Sequence, residues 1–151
     1  MGITSLDDTR DNVLPLAIGG LTNGISPLEM AGAYATIAND GVYIEPTFYT
    51  KVTDVKGEVV LEPHQRTESV MSEANAYIAK DILTEPVVGG SGTAKYCAIP
   101  GIETAAKTGT TNSDYDRWLC GFTPYYTAAT WYGFDTNEEI VYRGTNPAGL
   151  L

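Results

Sequence analysis

Apolar positions recur at helical spacing in two stretches of the chain and at strand spacing in several others. Leu28, Ala31, Ala35 and Ala38 fall on one helical face. Ahead of them Ser26 can cap, Pro27 suits the first helical position and Glu29 completes a capping box. The pattern predicts a helix over residues 27–38, ended by Asn39-Asp40-Gly41. With Gly32 and Ala33 beside the periodic residues, its surface is small enough for close approach of another element. A second helix is predicted over residues 73–84: Ser72 caps it, Ala74, Tyr77, Ile78 and Ile82 share a face, and it stops before Pro86.

Strand signals fill the rest. Val42-Tyr43-Ile44 is followed by a hairpin of Phe48 to Asp54 and Glu58 to Leu61, turning near Lys56-Gly57. Three further segments, Ile102 to Thr111, Arg117 to Thr123 and Tyr126 to Phe134, are rich in Thr, Trp and Tyr. Turn chemistry at Asn112-Ser113-Asp114 and Pro124-Tyr125 separates them. The succession predicts an antiparallel meander with helices packed on it, an α+β arrangement. Pro15 to Gly24 and Gly89-Gly90-Ser91-Gly92 read as loops, the latter a flexible one. The tail from Gly144 to Leu151 shows no pattern of its own, and no internal repeat is present.

Composition narrows the function. The 151 residues suit one domain with a real core, and 43% hydrophobic against 19% charged argues for a packed chain rather than a disordered one. The net charge is −10, with 4 basic and 11 acidic residues before position 76 and no basic stripe anywhere, so nucleic acid is not an expected partner. No apolar run reaches the ~18 residues of a membrane span, and the start, Met1 to Asp8, lacks the basic and apolar regions of a signal peptide. Taken alone, the chain is expected to be soluble.

Several kinds of chemistry fall away. His64 is the one histidine and sits in the polar run Glu62 to Arg66, a poor base for a Ser-His-Asp triad. With Cys97 and Cys120 it cannot make a four-ligand zinc site of the usual spacing, so no metal or other cofactor is expected. The two thiols read more readily as small buried hydrophobes than as a disulfide, and the sequence leaves the bridge open. Gly89 to Thr93 misses the nucleophile elbow at its last position, and no phosphate-binding loop occurs.

One tetrapeptide remains, Lys107-Thr108-Gly109-Thr110, inside the first strand of the meander. K-T-G is a known signature of penicillin-interacting enzymes, applied here rather than deduced, and alone it is weak. Its surroundings strengthen it. Ala105 to Pro124 with Thr130 to Asp135, and upstream Gly2 to Leu6, Ala17 to Ala31 and Tyr34 to Gly41, resemble in the same order the transpeptidase domain of bifunctional (class A) penicillin-binding proteins. The similarity covers nearly the whole chain and is weakest at Glu45 to Ser69 and after Asp135.

The resemblance implies a penicillin-binding transpeptidase, β-lactamase-like fold and a serine-type acyl transfer that cross-links peptidoglycan. Its substrates would be stem peptides ending in D-alanyl-D-alanine, or a β-lactam that imitates them. Lys107 would supply positive potential, and the hydroxyls of Thr108 and Thr110 would hold the substrate carboxylate. The amide of Thr110 would be half of the oxyanion hole, in which a donor typically contributes about 2.7–4 kcal/mol. Alternation along a strand puts Thr108 and Thr110 on one side and Lys107 and Gly109 on the other, with Gly109 leaving room for a close neighbour. The open edge could pair with an extended peptide. Residues 87–112 carry Lys95, Lys107 and Glu103, a local +1 that suits an anion. Trp118, Phe122 and Trp131 read as sheet aromatics, Asp116 as a residue that orients the turn after the motif, and Tyr125 and Tyr126 receive no role.

Two of the family's three motif elements are missing. None of Ser5, Ser26, Ser69, Ser72, Ser91 or Ser113 has lysine three residues on, and no S-x-N triplet occurs. Residues 1–151 are therefore expected to be the C-terminal portion of a transpeptidase domain, without its nucleophile or closing helix and inactive alone. Its partner would be the remainder of that domain. The parent would also be a glycosyltransferase, tied by an N-terminal anchor outside this chain to the extracytoplasmic face of a bacterial membrane. Two other readings stay open: a β-lactam sensor that binds without turnover, and an acidic interaction domain in which the K-T-G strand is incidental.

Overall fold

The computed structural model describes residues 1–141. The tail from Gly144 to Leu151 lies outside them. The expected α+β arrangement is present: helices α1 (Pro27–Ala38) and α2 (Glu73–Val88) pack with a meander of β5 (Ala105–Thr110), β6 (Asp116–Phe122) and β7 (Thr127–Gly133), antiparallel in that order. Between the helices lie two small ribbons. Strand β1 (Val42–Ile44) pairs with β4 (Thr67–Ser69), and β2 (Val52–Thr53) with β3 (Val59–Leu61). No described helix is long and apolar enough to cross a membrane.

Local chemistry explains α1, whose bounds are those the pattern predicts. Ser26 Oγ accepts from the Glu29 amide at 3.2 Å, and Glu29 Oε2 accepts from the Ser26 amide at 3.1 Å, closing the capping box. The other oxygen of Glu29 accepts from both the amide and the hydroxyl of Thr4 at 2.7 Å, which ties the N-terminal segment to the helix start. The small surface admits a neighbour as expected: a β-carbon on Gly32 would lie 3.4 Å from Pro46 Cγ and 3.7 Å from the Tyr43 ring. Gly32, Ala33 and Thr36 are the buried positions, with the Thr36 hydroxyl donating to the Gly32 carbonyl at 2.8 Å, whereas Leu28 stays exposed. Tyr34 meets Phe122 edge-on, centroids 6.5 Å apart, and so seats α1 on the sheet.

Helix α2 departs from expectation twice. It passes through Pro86 to Val88 instead of stopping before the proline. Pro86 sits in the last turn, where one lost hydrogen bond is the main cost, and Val87 is buried there against Ala94 and Ala106. The predicted face is also wrong: Ala74, Tyr77, Ile78 and Ile82 are all exposed, and the helix buries Ala76 and Val87 with Ala79 and Leu83 half-buried between them. The buried stripe of the helix thus carries alanines where the neighbouring, exposed stripe carries the bulkier residues.

The hairpin is shorter than predicted, since Phe48 is exposed and pairing begins only at Val52. Its turn is as expected: Gly57 has φ +84°, and Asp54 Oδ1 accepts from the amides of Lys56 and Glu58 at 2.8 and 2.9 Å. Strand β4 carried no sequence signal. The loop at Pro15 to Gly24 contains a 3₁₀ turn, Leu14–Ile18, which Gly19 ends at φ +87°. The buried carboxylate of Asp11 closes it by accepting from the Thr22 amide and hydroxyl at 2.8 and 2.6 Å.

Two expectations follow from these contacts. Gly41, at φ +85°, sits where a β-carbon would come within 2.4 Å of the Met71 carbonyl oxygen. Gly41→Ala should therefore destabilise the chain by about 2 kcal/mol or more, read from urea unfolding. The Glu29 carboxyl, ordinarily near 4.5, is held down to about 2, first by the Thr4 amide and hydroxyl and then by those of Ser26. A carboxyl depressed in the folded state stabilises above its unfolded value and loses that contribution as pH falls through the folded one. Stability should thus decline between about pH 4.5 and 2, and Glu29→Gln should remove that part of the decline.

Candidate active-site strand

Strand β5 begins in the core and ends in solvent. Ala105 and Ala106 are buried, Lys107 and Thr110 are exposed, and Thr108 and Gly109 are half-buried. Ala106 packs with Val87 of α2 and Ala94, and Cys97 and Leu119 cover that cluster. Register with β6 pairs Lys107 with Cys120, Thr108 with Leu119, Gly109 with Trp118 and Thr110 with Arg117. The alternation expected from the sequence is therefore observed, Thr108 and Thr110 lying on the face of Leu119 and Arg117. The close neighbour anticipated at Gly109 is Trp118: a β-carbon on the glycine would lie 3.2 Å from Trp118 Cβ. Among the described residues β5 has no strand on its other edge.

The turn after the motif is held from several sides. Thr111 Oγ1 accepts from the Asp116 amide at 2.8 Å, and the Thr111 amide donates to the Asp116 carbonyl at 3.1 Å. Between them Ser113 and Asp114 adopt left-handed conformations, φ +67° and +54°, which non-glycine residues occupy only when their surroundings impose it. The Asp114 carboxylate pairs with Arg117 at 3.2 Å, and its carbonyl accepts from the amide of buried Ile140 at 2.9 Å. The main chain of Asp116 closes this turn, while its carboxylate accepts from the Trp131 indole at 2.9 Å. Phe122 is buried, and Trp118 and Trp131 are half-buried on the sheet as expected.

Lys107 donates from Nζ to the Thr108 carbonyl at 2.6 Å. The Lys95 ammonium donates to the Gly90 carbonyl. Neither ammonium makes an ion pair with a described carboxylate. Gly89 to Thr93 forms the expected loop, exposed at Gly90 and Ser91 but closely packed at Gly92. A β-carbon on Gly92 would come 2.2 Å from the Pro86 carbonyl oxygen, and Ala94 is wholly buried, so the segment is packed onto the end of α2. That packing sets the Thr93 hydroxyl 2.8 Å from the Thr108 hydroxyl. Thr93 and Arg117 both adjoin the motif and neither was singled out from the sequence. The signal available for Thr93 was a glycine on one side and an alanine on the other, the mark of a tightly packed backbone.

The remaining candidates keep structural roles. His64, Tyr125 and Tyr126 are exposed. Cys97 and Cys120 are free; burial pushes the Cys120 thiol up to about 12 and raises that of Cys97, so both are poor nucleophiles. Among the described residues no group of three or more His, Cys, Asp or Glu side chains is placed to hold a metal ion. A groove of about 430 Å³ lies at the other end of β5, lined by Tyr77, Lys80, Thr84, Glu103 and Phe122 among others, and includes none of Lys107 to Thr110. The K-T-G residues thus form an exposed strand edge rather than an enclosed cavity.

Comparison with known proteins places this strand in context. Residues 4–143 match the family described as the penicillin binding protein transpeptidase domain. Penicillin-binding protein 1A of Clostridium botulinum is 40% identical over 146 residues, covering 95% of this chain and 18% of that protein. The chain thus spans about a fifth of the length of such curated relatives. Among solved structures, the PonA1 protein from Mycobacterium tuberculosis in complex with penicillin V is similar at 27% identity and a TM-score of 0.68, covering 84% of this chain and 34% of that one. The D,D-transpeptidase domain of a peptidoglycan glycosyltransferase from Eggerthella lenta matches at 30% identity and a TM-score of 0.58, covering 82% and 29%. A match over so much of the chain, on a meander that presents Lys107 to Thr110 at its edge, establishes that the chain belongs to the penicillin-binding protein transpeptidase domain family.

Proposed function

We propose that residues 1–151 are the C-terminal, substrate-gripping portion of a peptidoglycan D,D-transpeptidase domain. The observation that carries this reading is the open edge of β5, on which a lysine, two threonine hydroxyls and the Thr110 amide stand together where an extended peptide can pair. The substrates are stem peptides ending in D-alanyl-D-alanine, and β-lactams occupy the same edge. Lys107 supplies the positive potential and is a catalytic candidate through contact with the nucleophilic machinery. The hydroxyls of Thr108 and Thr110 hold the substrate carboxylate, and Gly109 lets the strand lie flat against Trp118. The Thr110 amide serves as one oxyanion-hole donor, and the pinned turn that follows keeps it from reorganising as charge develops.

The acyl-forming serine and its lysine come from elsewhere in the domain, since none of the six serines here has lysine three residues on. The chain alone is therefore inactive, and the protein that carries it works at the extracytoplasmic face of a bacterial membrane, with a glycosyltransferase region and an anchor outside these residues. The names of the similar proteins, penicillin-binding protein 1A and the D,D-transpeptidase domain of a peptidoglycan glycosyltransferase, support this reading.

Fluorescent penicillin followed by denaturing electrophoresis separates the parts of the proposal. The 151-residue chain should stay unlabelled while the full-length protein labels, and a labelled band from the chain alone would overturn its inactivity. In the full-length protein, Thr110→Pro removes both the amide proton and the hydroxyl and should slow maximal acylation by about a hundredfold or more besides weakening penicillin binding, whereas Thr110→Val, which keeps the amide, should weaken binding and leave the maximal rate within a few fold. A maximal rate unchanged in Thr110→Pro would remove the oxyanion role.

A further inference from the structure

Thr93 is fixed in place by the residues on either side of it. Gly92 lies so close to the Pro86 carbonyl oxygen that a β-carbon would come within 2.2 Å of it, and only glycine allows that approach. Ala94 is wholly buried with Val87 and Ala106, and its amide donates to the same Pro86 carbonyl at 2.9 Å. Between these two anchors the Thr93 side chain reaches β5, and its hydroxyl oxygen lies 2.8 Å from that of Thr108.

A hydroxyl has one proton to donate and two lone pairs that accept. Only one of the two protons in this pair can lie between the oxygens, and the other is free for a third group. For Thr108 to donate to an anion its oxygen must be the acceptor, which makes Thr93 the donor. We propose that Thr93 is a positioning residue for carboxylate recognition: it donates to Thr108 Oγ1 and so turns the Thr108 proton outward, toward the carboxylate of the bound stem peptide or β-lactam. The inference rests on the reading of Thr108 as a carboxylate holder. Hydrogen bonds in such a chain polarise one another, so the outer bond is stronger than Thr108 alone would make it. No proton leaves either oxygen; binding selects one orientation of the pair.

The test uses the full-length protein and compares acylation by a penicillin with acylation by its methyl ester, which lacks the anion. Binding and maximal acylation rate are measured separately. Thr93→Val should weaken binding of the penicillin by about five- to tenfold, leaving the maximal rate and the ester unchanged. Thr93→Ser, which keeps the donor, should stay within about twofold of the parent, and Thr93→Val with Thr108→Val should be no worse than Thr108→Val alone. Thr93→Ala is read in the same way should valine disturb the packing. The proposal is overturned by unchanged penicillin binding in Thr93→Val and Thr93→Ala, or by equal losses with penicillin and ester, which mark a merely structural role. If Thr108→Val fails to weaken penicillin relative to the ester, the reading of Thr108 itself has failed and this inference goes with it.

Discussion

The contact on which the site depends is the packing of Val87 and Ala94 on Ala106. It joins the last turn of α2, the glycine-rich segment and the start of β5, which the Ala94–Pro86 and Thr93–Thr108 hydrogen bonds also link. Its energetics explain why α2 tolerates a proline. Ending the helix one turn early would expose Val87, whose full burial contributes about 1.5–3 kcal/mol, whereas Pro86 in the final turn forfeits one hydrogen bond worth about 0.5–1.5 kcal/mol net. Packing therefore wins over the local signal. The same contact positions the strand: two alanines anchor it, and the next four residues leave the core in a direction already decided.

A strand that must be both rigid and accessible has a conflict to manage, because exposure removes the contacts that hold backbone in place. Here the restraints lie at the two ends. Ala105 and Ala106 hold one, and the turn at Ser113 and Asp114 holds the other through Arg117, Asp116 and the Ile140 amide. Two consecutive left-handed non-glycine residues store on the order of 1–3 kcal/mol each, and the tertiary bonds around them are what keep that conformation populated. Gly109 lets Trp118 pack flat against the middle of the strand. Amide donors preorganised in this way need not reorient when charge appears on a substrate.

What was legible in the sequence divides along a physical line. The bounds and capping box of α1, the Gly57 turn and the meander of β5 to β7 rest on short-range chemistry, and each could be read from adjacent residues. The K-T-G motif was legible for the same reason, and the strand's alternation followed from geometry. The buried face of α2 was not, because Ala76 and Ile78 differ in which neighbour they meet rather than in local preference. Strand β4 pairs with a segment about 25 residues away and has no apolar alternation to announce it. Thr93 was hidden behind glycines that read as slack but serve close packing, a difference visible only once Pro86 is placed above Gly92.

For an acidic chain to take an anion, as proposed for this edge, charge must be arranged locally. The net −10 is spread over the whole surface, and exposed charges beyond the screening length of about 8–10 Å contribute little at a given point. The Lys107 ammonium on the strand donates to a backbone carbonyl, and no described carboxylate pairs with it. Arg10, Arg66, Lys80 and Arg117 are instead spent on carboxylates. An exposed ammonium attracts a carboxylate by only about 1 kcal/mol in bulk water, and by several times more where water is excluded. On the proposed reading, Lys107 on an open edge directs the ligand's carboxylate without holding it strongly. The strength of the grip depends on how far water is driven from the edge when the pocket is complete.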